Sequence, residues 1–193
     1  YGMRKGKYRF KIHRHTLEFE NLPEPFDGFK IAQISDVHAG SFDHFPSVEK
    51  GIHLINEQEP DLFVFTGDLV NNMASEFEPW IELFSRITAP FGKFSILGNH
   101  DYGDYISWPD LAAKQQNLEI LKHYHGLTGF RLLLDEGVAI DKNGLELMAN
   151  HLYQVALNNA GNNPTKIPTP QVYAAHTIQL YQLEKHAITT VDT

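Results

Sequence analysis

The stretch FKIAQISDVH, residues 29–38, is a short apolar run that ends in an acid and an imidazole, Asp36 and His38. The turn residues NLPEPFDG (21–28) come directly before it, so the run predicts a buried β-strand. By itself, Asp-x-His at such a position indicates either a polar strand end or two ligands of one metal ion. A metal site needs further ligands, and these have to come from the rest of the chain.

Two later runs have the same design. PDLFVFTGDLV (60–70) predicts a second buried strand that ends in Asp68, and GKFSILGNHD (92–101) predicts a third that ends in Gly-Asn-His-Asp. A first strand or hairpin over 7–20, amphipathic helices and two late strands complete the prediction. The helices are expected over 47–57 with Ser47 as N-cap, over 76–86 and over 107–124, and the late strands over 130–136 and 138–149, with a tight turn at Asn143-Gly144.

The alternation of strands and helices predicts an α/β fold with a largely parallel sheet. In such sheets the carboxyl ends of the strands lie at one edge, where ligands bind. Side chains two apart on a strand share a face, so Asp36 and His38 are expected to reach one ion. Gly67 allows a close approach to Asp68, and Asn99 adds an amide oxygen. This ligand set favours manganese, iron or zinc over calcium.

The ordered motifs DVH (36–38), GD (67–68) and GNHD (98–101) resemble those of the calcineurin-like metallophosphoesterase family. The chain is most similar to bacterial membrane-associated or exported phosphodiesterases of that family, over about residues 8–140. The resemblance implies an α/β/β/α sandwich. It also implies hydrolysis of a phosphate mono- or diester by two divalent metal ions (Mn, Fe or Zn), with metal-bound hydroxide as the nucleophile.

The resemblance also implies roles for single residues. Asp36, His38 and Asp68 would bind the first metal, Asp68 would bridge to the second, and Asn99 would bind the second metal and help to hold the phosphate.

By the same resemblance, His100 would not bind metal but would face the phosphate, stabilise the transition state or protonate the leaving oxygen. Asp101 would fix the orientation of His100 or, on the residues alone, cap the element that follows. Tyr102 and Tyr105 follow directly and would either line the substrate pocket or be exposed loop residues.

The chain departs from the family in its later part, where neither of the late histidine motifs is recognisable. His176 would substitute for one missing ligand, whereas His151 and His186 have no supporting context and are expected on the surface or in packing. We therefore expect a metallophosphoesterase part over 1–147, with a basic strand at 1–20, and a divergent or truncated segment over 148–193. Metal binding is expected to be weak, and a non-catalytic metal- or protein-binding module or an inactive fragment remains the alternative function.

Composition restricts the partners and the compartment. The 193 residues have a formal net charge of −8, which disfavours sequence-independent nucleic-acid binding, and no cysteine, which excludes thiolate sites and disulfides. The expected partner is a phosphate-ester small molecule or a lipid head group. Six lysines and arginines in the first 14 residues favour either a solvated strand or contact with a membrane surface. The expected location is membrane-associated if an anchor precedes Tyr1, and otherwise cytoplasmic.

Two histidines, His123 and His125, lie at the end of the third predicted helix, directly before Gly126. A helix C-terminus favours cationic side chains, so both are expected to complement the helix dipole there.

Overall fold

The computed structural model describes residues 7–134, 136–143, 145–148, 177–184 and 188–189, and its centre is a seven-stranded mixed β-sheet. Its order is β1-β9-β8-β2-β3-β4-β5, and β6 and β7 form a separate antiparallel hairpin. The strands are β1 Lys11–Glu18, β2 Phe29–Ile34, β3 Leu62–Phe65, β4 Lys93–Ser95, β5 Arg131–Leu132, β6 Ala139–Lys142, β7 Leu145–Met148, β8 Thr177–Glu184 and β9 Ile188–Thr189.

Strands β2, β3, β4 and β5 are parallel neighbours, which confirms the predicted α/β fold. Ile34, Phe65 and Ser95 are aligned across the first three of these strands. The strands therefore end side by side, at what we call the carboxyl edge of the sheet. The loops that contain the three polar motifs all leave the sheet at this edge.

Three helices cover one face of the sheet: α1 Phe45–Asn56, α2 Ile81–Ser85 and α3 Leu111–Leu127. Side chains alternate along β2, because Ala32 and Ile34 belong to the cluster packed under the helices, whereas Phe29 and Ile31 belong to the cluster on the opposite face. Ile140 of the β6–β7 hairpin packs into that second cluster. The described residues thus form three layers, with helices, sheet and hairpin.

Helices α1 and α3 begin at residues other than those predicted. The N-cap of α1 is His44 rather than Ser47, because Pro46 is tolerated within the first helical turn, and Ser47 Oγ instead lies 2.9 Å from His44 Nδ1. The N-cap of α3 is Asp110, whose Oδ1 accepts a 2.7 Å hydrogen bond from the backbone of Ala113.

The helix predicted over 76–86 is shorter and is preceded by two 3₁₀ turns. These turns are Ala74–Glu76 and Glu78–Trp80, and α2 itself starts at Ile81. Pro79 lies in the first turn of the second 3₁₀ segment, where the missing N–H costs no helical hydrogen bond.

The late part of the chain supplies a strand to the middle of the sheet. Strand β8 lies between β1 and β2, parallel to the first and antiparallel to the second. The sequence QVYAAHTIQLYQLEKHAITTVDT (171–193) has a weak pattern that predicts a strand followed by a short helix; β8 confirms the strand, whereas β9 is a second strand instead of a helix. The predicted hairpin over 138–149 is also confirmed, with Asn143 in the left-handed region at φ 59°.

The first described residues, before β1, are attached to the loop that leads into α1. The Tyr8 hydroxyl accepts hydrogen bonds from the backbone of Asp43 at 2.8 Å and of His44 at 3.1 Å, and it donates to Asp43 Oδ1 at 2.8 Å. Lys7 Nζ forms an ion pair with Asp43 at 2.7 Å. The chain therefore enters the sheet beside the carboxyl edge. Among the residues that the structure describes, no helix has the length and apolar character needed to cross a membrane.

His125 corrects the expectation of a cationic side chain at the end of α3. Its side chain is fully buried beside the rings of Phe65 and Phe130. Neither ring nitrogen has a hydrogen-bond partner among the described residues. Burial lowers the pKa of His125 from 6.5 to about 4, so the ring is neutral at pH 7.

We predict that His125 makes the protein sensitive to acid. Between pH 6.5 and about 4 the unfolded chain binds a proton that the folded chain does not, so the free energy of unfolding falls as the pH is lowered through this range. Urea unfolding at pH 7.5 and pH 4.5 measures how much the free energy of unfolding falls between these pH values. This fall should be about 2–3 kcal/mol smaller in His125→Phe than in the unsubstituted protein.

The exposed neighbour provides the control. His123→Phe should retain the acid sensitivity of the unsubstituted protein, because His123 is solvated in the fold. Equal acid sensitivity of His125→Phe and His123→Phe would contradict the assignment.

Candidate metal centre

The two loops that follow β2 and β3 are hydrogen-bonded side by side beyond the ends of the strands. The backbone N–H of Asp36 donates to Gly67 O at 3.0 Å, and the N–H of His38 donates to Asp68 O at 3.0 Å. The parallel pairing of the strands thus continues into the Asp-x-His and Gly-Asp motifs and sets their relative position.

The backbone at these motifs is not extended, which corrects the expected geometry. Strand β2 ends at Ile34, and Asp36, His38 and Asp68 all lie in the left-handed region, at φ 52°, 45° and 59°. Such a conformation costs of order 1–3 kcal/mol for each residue that is not glycine, and it persists only where the surroundings impose it. The directions of the Asp36, His38 and Asp68 side chains are therefore set by left-handed backbone at these residues, and not by the two-residue alternation of a β-strand.

Gly67 and Gly98 allow the second and third loops to touch. Gly67 has φ 101°, and a β-carbon there would lie 2.6 Å from Gly98 N, while a β-carbon on Gly98 would collide with the Asp68 carboxylate. The close approach predicted at Gly67 is therefore an approach of backbone to backbone.

Three side chains from the first two loops converge. His38 Nε2 lies 3.9 Å from Asp36 Oδ1 and 3.9 Å from Asp68 Oδ2. Because metal–nitrogen and metal–oxygen bonds are about 2.0–2.2 Å long, two ligands of one ion are at most about 4.3 Å apart. Each distance therefore fits two ligands of one ion, and imidazole nitrogen with carboxylate oxygen is a donor set suited to manganese, iron or zinc.

Electrostatics also favour a cation at this position. The side chains of Asp36 and Asp68 are almost fully buried and are close enough to interact. Burial raises the pKa of Asp36, the charge of Asp68 raises it further, and a hydrogen bond with Ser35 acts in the opposite direction. A bound divalent cation would neutralise the two acids.

His100 extends this cluster from the third loop. One ring nitrogen of His100 and ligand atoms of His38 and Asp68 all lie within 4.8 Å of one another. The rings of His38 and His100 meet edge to face at 4.7 Å. His100 N also donates to Asp68 Oδ1 at 2.8 Å, so the third loop is attached to the second. His100, which the resemblance implies to face the phosphate rather than to bind metal, thus lies directly beside His38 and Asp68.

The orientation of the His100 ring is set by a backbone carbonyl. His100 Nδ1 lies 2.8 Å from Asn71 O, and because a carbonyl only accepts, Nδ1 bears the proton of the neutral ring. The other nitrogen, Nε2, is then the one with a free lone pair. Asp101, expected to orient this ring, does not do so through a hydrogen bond.

Asp101 instead binds the backbone of two loops. Its fully buried carboxylate accepts hydrogen bonds from Asp68 N at 3.0 Å, Leu69 N at 2.8 Å, Val70 N at 3.2 Å and Gly98 N at 2.8 Å. Burial raises the pKa of Asp101 to about 7, while the bonds from these N–H groups act in the opposite direction by favouring the charged form. Its role in the fold is to hold the Gly-Asp loop against the Gly-Asn-His-Asp loop.

Three further residues support the site and were not identified from the sequence as doing so: Asn71, Glu76 and Tyr105. Glu76 Oε2 accepts a 2.6 Å hydrogen bond from Asn71 N, which fixes the carbonyl that orients His100. Asn99, half-buried, donates from Nδ2 to the Tyr105 hydroxyl at 2.7 Å. Glu76 Oε1 also accepts a 3.1 Å hydrogen bond from Met73 N, but Met73 is not one of the N-cap residues that the capping-box pattern requires, so that pattern does not identify Glu76. For Asn71 and Tyr105 no spacing rule exists.

The late histidines expected as substitute or surface residues, His151, His176 and His186, lie outside the described residues. The described part of the site therefore consists of the three motif loops and the groups that support them.

We predict that loss of the Asp101 carboxylate destabilises the fold. Asp101→Ala leaves three buried N–H groups and one part-buried N–H group without their acceptor, which should lower the free energy of unfolding by about 3–5 kcal/mol in urea unfolding. Asp104→Ala, at an exposed position nearby, should change it by no more than about 0.5 kcal/mol. Equal stability of the two variants would contradict the role given to Asp101.

Comparison with known proteins agrees with this geometry. The family model for calcineurin-like phosphoesterases matches residues 29–187, which extends past the range 8–140 covered by the motif resemblance. The matched span includes all three motif loops.

Curated relatives of the chain include proteins named metallophosphoesterases and a protein named a pyrophosphatase. A metallophosphoesterase of Bacillus subtilis, YkuE, is 43% identical over 93 residues, covering 47% of this chain and 32% of the relative. A metallophosphoesterase of Aquifex aeolicus is 31% identical over 134 residues, covering 69% of this chain and 46% of the relative. The UDP-2,3-diacylglucosamine pyrophosphatase LpxG of Chlamydia trachomatis is 38% identical over 91 residues, covering 45% of this chain and 28% of the relative.

The chain spans between about a quarter and a half of the length of these relatives. The family match nevertheless covers most of the chain and contains every motif of the site. The chain belongs to the calcineurin-like phosphoesterase family.

Proposed function

We propose that this chain hydrolyses a phosphate mono- or diester with the help of two divalent metal ions, for which manganese, iron and zinc are the candidates. The observation that supports this most strongly is the convergence of His38 with Asp36 and Asp68, at 3.9 Å in each case. Bound metal ions would supply Lewis acidity and a water molecule activated near neutral pH. Asp36, His38 and Asp68 would hold the first ion, with Asp68 bridging to a second that Asn99 binds.

His100 would act on the substrate or complete the metal site. Its Nδ1–H is used by Asn71 O, so Nε2 is the atom available to a phosphate oxygen or a metal ion. A protonated Nε2 could donate to the leaving oxygen, and a neutral one could accept a proton. Either step is typical of general acid–base catalysis by histidine.

The substrate class we propose is a phosphate ester or pyrophosphate on a small molecule or a lipid head group. Two relatives from Chlamydia are named UDP-2,3-diacylglucosamine pyrophosphatase LpxG, a name that itself contains a phosphate-bearing substrate. The net charge of −8 argues against nucleic acid as a substrate, because phosphate backbones are bound through lysine and arginine.

A membrane surface is a second partner that we propose, through the basic N-terminal residues. The first described residues lie next to the carboxyl edge, where Lys7 pairs with Asp43. In addition, a relative from Danio rerio that is 27% identical over 127 residues is named a transmembrane protein with a metallophosphoesterase domain. Co-sedimentation with phosphatidylserine vesicles at low salt, absent with phosphatidylcholine vesicles, would support this; equal sedimentation with both would not.

The alternative function is a non-catalytic metal- or protein-binding module on the same fold. A turnover assay distinguishes this alternative from an enzymatic function. It uses an aryl phosphate and a bis-aryl phosphate in the presence of Mn²⁺, Fe²⁺ or Zn²⁺. Hydrolysis of either ester supports the enzyme. Metal binding without hydrolysis of any ester would favour the alternative.

We predict that His100→Ala lowers turnover by about 10²–10⁴-fold, the usual contribution of a positioned acid or base. If His100 acts on the substrate, the metal content of the purified variant, measured by mass spectrometry, should equal that of the unsubstituted protein. A matching loss of metal would instead make His100 a ligand. His123→Ala, on the exposed face of α3, is the control and should retain full activity.

A further inference from the structure

Tyr105 connects two groups of the site that come from the same loop. Its hydroxyl accepts a 2.7 Å hydrogen bond from Asn99 Nδ2. Its ring stacks on the imidazole of His100, with centroids 4.4 Å apart and planes inclined by 24°. Among the described residues, no other side chain both hydrogen-bonds that of Asn99 and stacks on that of His100.

Burial does not explain the position of this side chain. Tyr105 is 54% exposed, so its ring contributes little to the hydrophobic core. The neighbouring Tyr102 is 45% exposed and contacts neither side chain by hydrogen bond or stacking. A substitution at either tyrosine should therefore leave the fold intact.

The segment that contains Tyr105 is held at both ends. Gly103 N donates to His100 O at 3.0 Å, and Gly103 adopts the left-handed conformation at φ 66° that turns the chain back. Trp108 Nε1 donates to Gly103 O at 2.7 Å, and Asp104 pairs with Lys114 of α3. The contacts of Tyr105 thus arise from an anchored turn.

We propose that Tyr105 is a positioning residue of the metal centre. The hydroxyl holds the amide group of Asn99 by its nitrogen, so Oδ1 points away from Tyr105 and is free to bind a cation. The stacked ring covers one face of the His100 imidazole, whose Nδ1 edge is held by the Asn71 carbonyl, and so limits its rotation. The expected effect of Tyr105 on metal binding and catalysis rests on the proposed function. Its contacts with Asn99 and His100 do not require a bound metal.

The two contacts can be separated by substitution. Tyr105→Phe removes the hydroxyl and retains the stacked ring, whereas Tyr105→Ala removes both. Tyr102→Phe is the matched control, because it removes an exposed hydroxyl from the same loop without touching Asn99.

The first measurement uses the protein without metal. In ¹H–¹⁵N spectra, the side-chain amide signals of Asn99, identified by their loss in Asn99→Asp, should move in Tyr105→Phe and stay in place in Tyr102→Phe. Unmoved Asn99 signals in Tyr105→Phe would overturn the inference, whether or not the chain binds metal.

The second measurement is a calorimetric titration with Mn²⁺. Tyr105→Phe should bind the weaker Mn²⁺ ion about 10–100-fold less tightly than the unsubstituted protein, as is usual when a partner of a ligand is removed. Tyr102→Phe should bind as the unsubstituted protein does, and all variants should melt at the same temperature. Unchanged Mn²⁺ affinity in Tyr105→Phe would overturn the positioning role. If the unsubstituted protein binds no metal, the proposed function is contradicted, and the amide spectra decide on Tyr105.

The third measurement concerns His100. At saturating Mn²⁺, Tyr105→Ala should lower kcat further than Tyr105→Phe does, with a smaller change in KM, and the difference between the variants then reports the stacked ring. Equal kcat of the two variants would overturn the contact between Tyr105 and His100 as a functional one.

Discussion

The site depends on one buried carboxylate, that of Asp101. It binds three consecutive N–H groups of the second motif loop, from Asp68 to Val70, and one of the third loop, that of Gly98. A buried acid is costly unless its oxygens are hydrogen-bonded, and here the partners are the backbone that must be held in place. The first loop is in turn hydrogen-bonded to the second, so all three loops are connected through this residue.

This connection explains how the fold maintains an arrangement that is unfavourable by itself. Asp36, His38 and Asp68 have left-handed backbone, and two of them are buried acids at close range. Both features raise the energy of the folded chain; the hydrogen bonds between the loops hold the strained backbone in place, and a bound cation would neutralise the two acids. The glycines at 67 and 98 add the space without which the loops could not touch.

Much of this was predictable from the sequence, because strand order and motif order are encoded locally. Apolar runs ending in polar residues predicted the parallel strands, the shared edge and the convergence of Asp36, His38 and Asp68. The environment of Asp101 was not predictable, because its partners are backbone groups 31–33 residues away that exist only in the folded chain. Tyr105 is similar: its contacts depend on a turn at Gly103 that pattern rules do not specify. The burial of His125 was missed because its place on α3 indicated a dipole-complementing cation, whereas packing against Phe65 decided the outcome.

The central claim is that the three motif loops bind a divalent cation at the carboxyl edge of the sheet. Paramagnetic broadening by Mn²⁺ in ¹H–¹⁵N spectra tests it most directly, because the effect falls steeply with distance from the ion. The claim predicts that substoichiometric Mn²⁺ first removes the backbone signals of residues 36–39, 67–69 and 98–101, and that His38→Ala abolishes this. Broadening that begins elsewhere, or that is unchanged in His38→Ala, would contradict it.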